Sequence, residues 1–186
     1  MAAIVAPKLT YAHLQAMPND GKRYELLDGE VYMTPSPTTQ HQRLVGRLYL
    51  LLHEFGQRTG AGEVLFAPLD VVFDDRNVVQ PDLLFVRSER RATITPAFVA
   101  GPPDLVIEVL SPSNASYDRE KKLPVYARAG VPEIWYVDPP TETLEILSLS
   151  SDRRYTRVAL GQKEGKVASA AFPDLAVDLR SLFAGG

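Results

Sequence analysis

Two carboxylates stand where apolar strands should hold none. Glu108 lies inside the run Leu105–Leu110, whose other members are all apolar, and Asp82 interrupts the apolar run 78–86 directly after Pro81. A lone buried carboxylate costs several kcal/mol or stays protonated unless it is paired or bound to a cation. Two of them on successive strands suggest a site for a hard cation. Oxygen ligands suit Mg²⁺ or Mn²⁺, which take one or two carboxylates and fill the rest of their shell with water and phosphate oxygens. The competing reading pairs each acid with an arginine or leaves it at a wet strand end. A third group follows on a helix, where Lys122 and Tyr126 are four residues apart and share a face. A lysine beside two metal-bound carboxylates can orient an attacking water and steady charge developing on phosphate.

Other chemistries are excluded by what the chain lacks. There is no Gly-rich phosphate loop ending in Lys, no Gly-x-Ser-x-Gly elbow and no His-Glu-x-x-His pair. Cysteine is absent, which removes disulfides, thiol catalysis and cysteine-ligated zinc and fits a reducing cytoplasm. His13, His41 and His53 are the only histidines. His41, at the start of the longest helix, reads as a helix-end polar residue that could also touch phosphate. Ser111 and Ser113 read as a turn and cap, and Glu133 and Trp135 as structural, with the tryptophan in the core.

The elements that must hold these groups are legible in the punctuation. Asp28-Gly29 between two strand-like runs predicts a type I′ hairpin near the N-terminus. Leu44, Val45, Leu48, Leu51, Leu52 and Phe55 repeat with helical spacing and predict a long helix over 38–57, closed by glycines. Segments 63–73, interrupted at Pro68, and 78–86, where Pro81 suggests a bend or bulge, read as two strands pairing as a hairpin, with a short turn of helix at 96–99 after them. The run 104–110, apolar on both faces, reads as a central, doubly covered strand. A second helix is expected over 116–129, although Pro124 inside it predicts a kink or a later start. Strands follow at 133–137, 144–149 and 155–160. The expected fold is α/β: a single domain over 1–186 with a mixed central sheet, flanking helices and a β-hairpin in front.

Composition narrows the partners. The 186 residues are 45% hydrophobic and 23% charged, as in soluble globular chains. The longest strongly apolar runs, such as 48–52, are far shorter than the ~20 residues of a membrane helix. The first twenty residues carry no basic segment followed by an apolar one, so a cytoplasmic location without a secretory signal is expected. Net charge is −3, and residues 61–110 alone hold eight acids against four bases. A strong positive field for coating nucleic acid is therefore missing. Both proposed metal ligands belong to that acidic stretch, so a bound divalent cation would offset charge where a phosphate must approach. Phosphate contacts would then fall to Arg43, Arg47, Lys121 or Lys122.

The order Pro81-Asp82, Glu108 and a nearby lysine resembles the PD-(D/E)XK nuclease superfamily. The blocks Tyr24-Glu25-Leu26-Leu27-Asp28-Gly29-Glu30, Gln80-Pro81-Asp82, Asp104 to Ser113 and Tyr126 to Trp135 are together similar to the Uma2 family of restriction-endonuclease-like proteins, over about Tyr11 to Leu149. This resemblance implies a restriction-endonuclease-like fold and a divalent metal held by Asp82 and Glu108. Leu110 stands where the superfamily usually has its lysine, and Lys122 on the following helix takes that part. Glu30, preferred over Glu25, is expected to supply a further acid that positions metal or water. The implied activity is Mg²⁺- or Mn²⁺-dependent hydrolysis of DNA. The alternatives are a catalytically silent module binding DNA or a protein, and a hydrolase of small phosphate esters. A homodimer is compatible with this reading.

Overall fold

Two prolines organise the sheets. In the computed structural model, which describes residues 7–18, 20–112 and 114–185, the two segments read as one hairpin are each cut in half at the proline that marked a break in them. The first becomes β3 (Gly62–Phe66) and β4 (Val71–Asp74), separated by Pro68; the second becomes β5 (Asn77–Val79) and β6 (Leu83–Arg87), separated by Pro81. The halves pair as expected, β4 with β5 and β3 with β6, but in two different sheets. Proline cannot donate to a ladder, so a strand that must continue past one is free to leave its sheet there. A hydrogen bond from Ala67 N–H to the Asp82 carbonyl (3.1 Å) spans the fork.

The five-stranded sheet has the order β2-β1-β5-β4-β7, from β1 (Arg23–Leu27), β2 (Glu30–Thr34) and β7 (Val99–Ala100). β1 and β2 form the expected hairpin, and positive φ at both Asp28 and Gly29 suits its two-residue turn. The six-stranded sheet has the order β11-β10-β9-β8-β6-β3, adding β8 (Leu105–Val109), β9 (Glu133–Asp138), β10 (Thr143–Leu149) and β11 (Tyr155–Gln162). Only β8 and β9 are parallel in it, so the sheet is mixed. No helical turn forms at 96–99; a 3₁₀ turn occupies Ser88–Thr93, and Val99 enters β7 because its N–H is taken by the Asp70 carbonyl.

Each face of the six-stranded sheet has its own core. On one face lies the apolar stripe of α2 (Thr39–Thr59), following the short α1 (Tyr11–Gln15): Leu44, Leu48, Leu52 and Phe55 pack on Leu83, Phe85, Ile107 and Trp135. The chain's end completes this layer with a hairpin of β12 (Lys166–Ala168) and β13 (Ala176–Asp178) and the last helix at Leu179–Phe183. The other face buries Leu84, Val106, Ile134 and Tyr136 against Val71 and Val79 of the five-stranded sheet and against Val125 and Tyr126. Those two belong to α3 (Leu123–Ala129), which is preceded by a π-helical turn at Tyr117–Lys122. Pro124 explains the break: its ring has no N–H and clashes with the carbonyl four residues back, and a wider turn relieves both. Among the described residues no helix is long and apolar enough to cross a membrane.

Candidate functional site

Alternation along β8 puts Val106, Glu108 and Leu110 on the face that carries α3, while Leu105, Ile107 and Val109 face α2. The register Leu83↔Ile107, continued by one residue, sets Asp82 opposite Glu108 at the fork between the sheets. There the Asp82 carboxylate itself takes a β8 backbone donor: Val109 N–H bonds Oδ2 at 2.9 Å. The same oxygen meets His41 Nε2 at 2.9 Å, and Oδ1 faces Arg23 Nη1 at 3.7 Å.

Lys122 reaches this point because of the π-turn. Its wide geometry turns Asp118 and Lys122 inward, and both are buried. Lys122 Nζ lies 2.6 Å from Glu108 Oε1, 3.1 Å from Glu25 Oε1 and 3.6 Å from Asp118 Oδ1. Tyr126 O–H also donates to Glu108 Oε1, at 2.5 Å. Glu25 binds the two halves of the cluster: Oε1 accepts Gln80 N–H at 2.6 Å, just before Pro81-Asp82, and Oε2 accepts Tyr117 O–H at 2.9 Å. Asp82, Glu108, Asp118 and Lys122 line a cavity of about 240 Å³ together with Arg23 and His41.

The charges do not balance among themselves. One buried ammonium faces the carboxyls of Glu25, Glu108 and Asp118. Burial pushes Glu108 from the ordinary 4.5 up to about 8, against the pull of Lys122 and with Asp118, Asp82 and Glu25 adding to the rise. Asp118 is raised to about 6, again chiefly by burial. Burial also acts to raise Asp82, but the His41 and Val109 hydrogen bonds and Lys122 outweigh it and hold that carboxyl below 3.8. Lys122 is disfavoured as a cation by burial, yet Glu108 and Glu25 keep it charged well above 10.5. An excess of buried carboxylate calls for a proton or a further cation. Hard oxygens at Asp82 and Glu108 fit Mg²⁺ or Mn²⁺. Among the described residues no three His, Asp or Glu side chains form a ready-made cage, so water would complete the shell.

Of the four residues singled out in the sequence, the fold brings Asp82, Glu108 and Lys122 together and leaves Glu30 outside. Glu30 pairs with Leu27 at the hairpin turn, is exposed, and spends its carboxylate on Lys8 Nζ (2.8 Å) and Tyr32 O–H (3.0 Å). Those two hydrogen bonds hold its carboxyl below 4.5. Glu25, further into β1 and fully buried, is the acid of this hairpin that reaches Lys122. Sequence reasoning also passed over Asp118, and it assigned His41 mainly to the helix end. The signal for His41 was present: positions 41, 44, 48, 52 and 55 form one stripe, and His41 is its first, polar member. Arg47 does not line this cavity, and its Nη1 bonds the Leu182 carbonyl at 2.6 Å. Ser111 lines the cavity, and Ser113 lies outside the described residues. Glu133 and Trp135 are structural as expected: Glu133 is buried and accepts from Trp135 Nε1, Ser169 O–H and two backbone N–H groups.

No curated protein matches the chain. Among solved structures, a protein from Anabaena variabilis described as a "putative nuclease" superposes with a TM-score of 0.75 over 95% of this chain and 98% of its own, at 17% identity. That likeness is one of fold. The model of the Uma2 family, described as "Putative restriction endonuclease", matches residues 11–180. On that match the chain belongs to the Uma2 family.

Proposed function

We propose that this protein is a divalent-metal-dependent endonuclease of the PD-(D/E)XK kind that hydrolyses phosphodiester bonds in DNA. The observation that carries the reading is the convergence of Asp82, Glu108 and Lys122 on one cavity at the fork of two sheets. Asp82 and Glu108 would hold Mg²⁺ or Mn²⁺, which when bound supplies Lewis-acid polarisation and offsets negative charge where the phosphate approaches. Lys122 stays charged, so it acts as a hydrogen-bond donor that orients the attacking water and steadies the phosphate oxygens, not as a base. Arg23, part-exposed on the cavity wall, faces the incoming phosphate. With net charge −3, DNA affinity is expected to be modest and to require metal.

The test is direct. The purified chain should cut DNA with Mn²⁺, and Asp82→Ala or Glu108→Ala should abolish cutting. Wild-type rates in both variants would sink the assignment. One observation favours a second reading, a silent module that binds without cutting. Lys122 has three N–H groups and three carboxylate neighbours, leaving no donor for water unless one contact opens. Calorimetry separates the two: DNA binding without any binding of Mn²⁺ at millimolar concentration favours the silent module.

A further inference from the structure

The α2 stripe continues one turn beyond the core it packs. Leu44, Leu48, Leu52 and Phe55 are fixed in the apolar layer, and His41, one helical step before Leu44, carries the same face to the fork. Thr38 Oγ1 accepts His41 N–H at 3.2 Å and so locks the first turn, while Pro35 and Pro37 stiffen the approach. The imidazole is buried, at 8% exposure, and Nε2 lies 2.9 Å from Asp82 Oδ2. Its other nitrogen, Nδ1, is buried and bonds to no described residue. A proton on Nδ1 would be a buried donor without an acceptor, whereas a bare lone pair costs less, so the ring proton belongs on Nε2 and points at the carboxylate.

We infer that His41 is the positioning residue of Asp82, holding Oδ2 so that Oδ1 is presented to the cavity. Two donors, His41 Nε2 and Val109 N–H, saturate Oδ2, one from a helix and one from a strand. Among the described residues, Oδ1 faces only the distant Arg23. A carboxylate held in this way loses its freedom to rotate and meets a cation with one defined oxygen. Outer groups that orient a metal ligand typically carry about 10–100-fold in metal affinity. This inference rests on the metal-dependent reading above, and it assigns His41 no contact with substrate.

The experiment is calorimetric titration of the full chain with Mn²⁺, in wild type, His41→Ala and His41→Gln. The glutamine amide nitrogen stands near the place of imidazole Nε2 and can donate to Asp82. Alanine should weaken Mn²⁺ binding by about 10–100-fold, and glutamine should restore it to within a few-fold of wild type. Alanine binding like wild type, or glutamine as weak as alanine, overturns the inference. Wild type binding no Mn²⁺ would instead remove the metal-dependent reading. Nitrogen-15 spectra of the metal-free protein then decide the positioning role alone. An Nε2–H tautomer whose signal moves in Asp82→Asn supports it, and an Nδ1–H tautomer overturns it. The same spectra serve if the alanine variant fails to fold.

Discussion

Glutamine at position 108 tests whether the buried acid carries a proton in the metal-free protein. Glu108 is raised from 4.5 to about 8, so between those values the folded chain holds a proton that the unfolded chain has released. Stability from this source is therefore complete below 4.5 and is lost as pH rises through 8. Integrating from about pH 6 to about pH 8 gives a loss of ~2 kcal/mol from this one group. The window lies above the value of about 6 reached by Asp118, whose own slope is mostly spent there. Glu108→Gln is isosteric with the protonated acid, and its carbonyl can still accept from Lys122 and Tyr126, while Glu25 and Asp118 remain to compensate the ammonium. Urea denaturation in chelator should show wild type losing about 2 kcal/mol more than Glu108→Gln over that window. Equal losses in the two proteins would refute the assignment of the proton.

Three further outcomes follow from the same cluster. On the proposed metal-dependent reading Mn²⁺ displaces the Glu108 proton, so its affinity should rise about tenfold per pH unit below 8 and level off above it, read by calorimetry at a series of pH values. Glu25→Ala leaves Gln80 N–H without its acceptor and removes one of the carboxylates around Lys122; it should cost ~2–4 kcal/mol in denaturation and abolish metal-dependent cutting. Glu30→Ala touches only the surface contacts to Lys8 and Tyr32 and should leave both the melting temperature and cutting unchanged.

What could be read from the sequence was whatever a short stretch determines. The Asp28-Gly29 hairpin, the α2 stripe and the apolar strand around Glu108 each carry their period and their stop signals within about twenty residues. Asp82 and Glu108 stood out because a charge in an apolar strand is a local anomaly. Long-range pairing was legible only in part. Pro68 and Pro81 announce breaks, but no local pattern says that a broken strand continues in another sheet. That Glu25, not Glu30, is the buried member of the hairpin was illegible for the same reason. Both flank one turn, and only the docking of β1 on Gln80 and Lys122 makes one of them the buried acid. Pro124 was flagged as a helix fault, and its outcome, a π-turn that delivers Lys122, depends on what the faulted helix packs against.

The fork at Pro68 and Pro81 makes the cluster a gauge of whether the chain is fully folded. Its members come from residues as far apart as Glu25 and Lys122, and Asp82 belongs to the joint between the sheets. No fragment holding one sheet alone can assemble it. Gln80 and Val109 each donate their amide to a carboxylate from a distant segment, so both amides should exchange with solvent only through global unfolding, at the slow end of the whole protein. A chain with either sheet undocked has no such cluster. Whatever chemistry it performs is withheld until the two sheets dock.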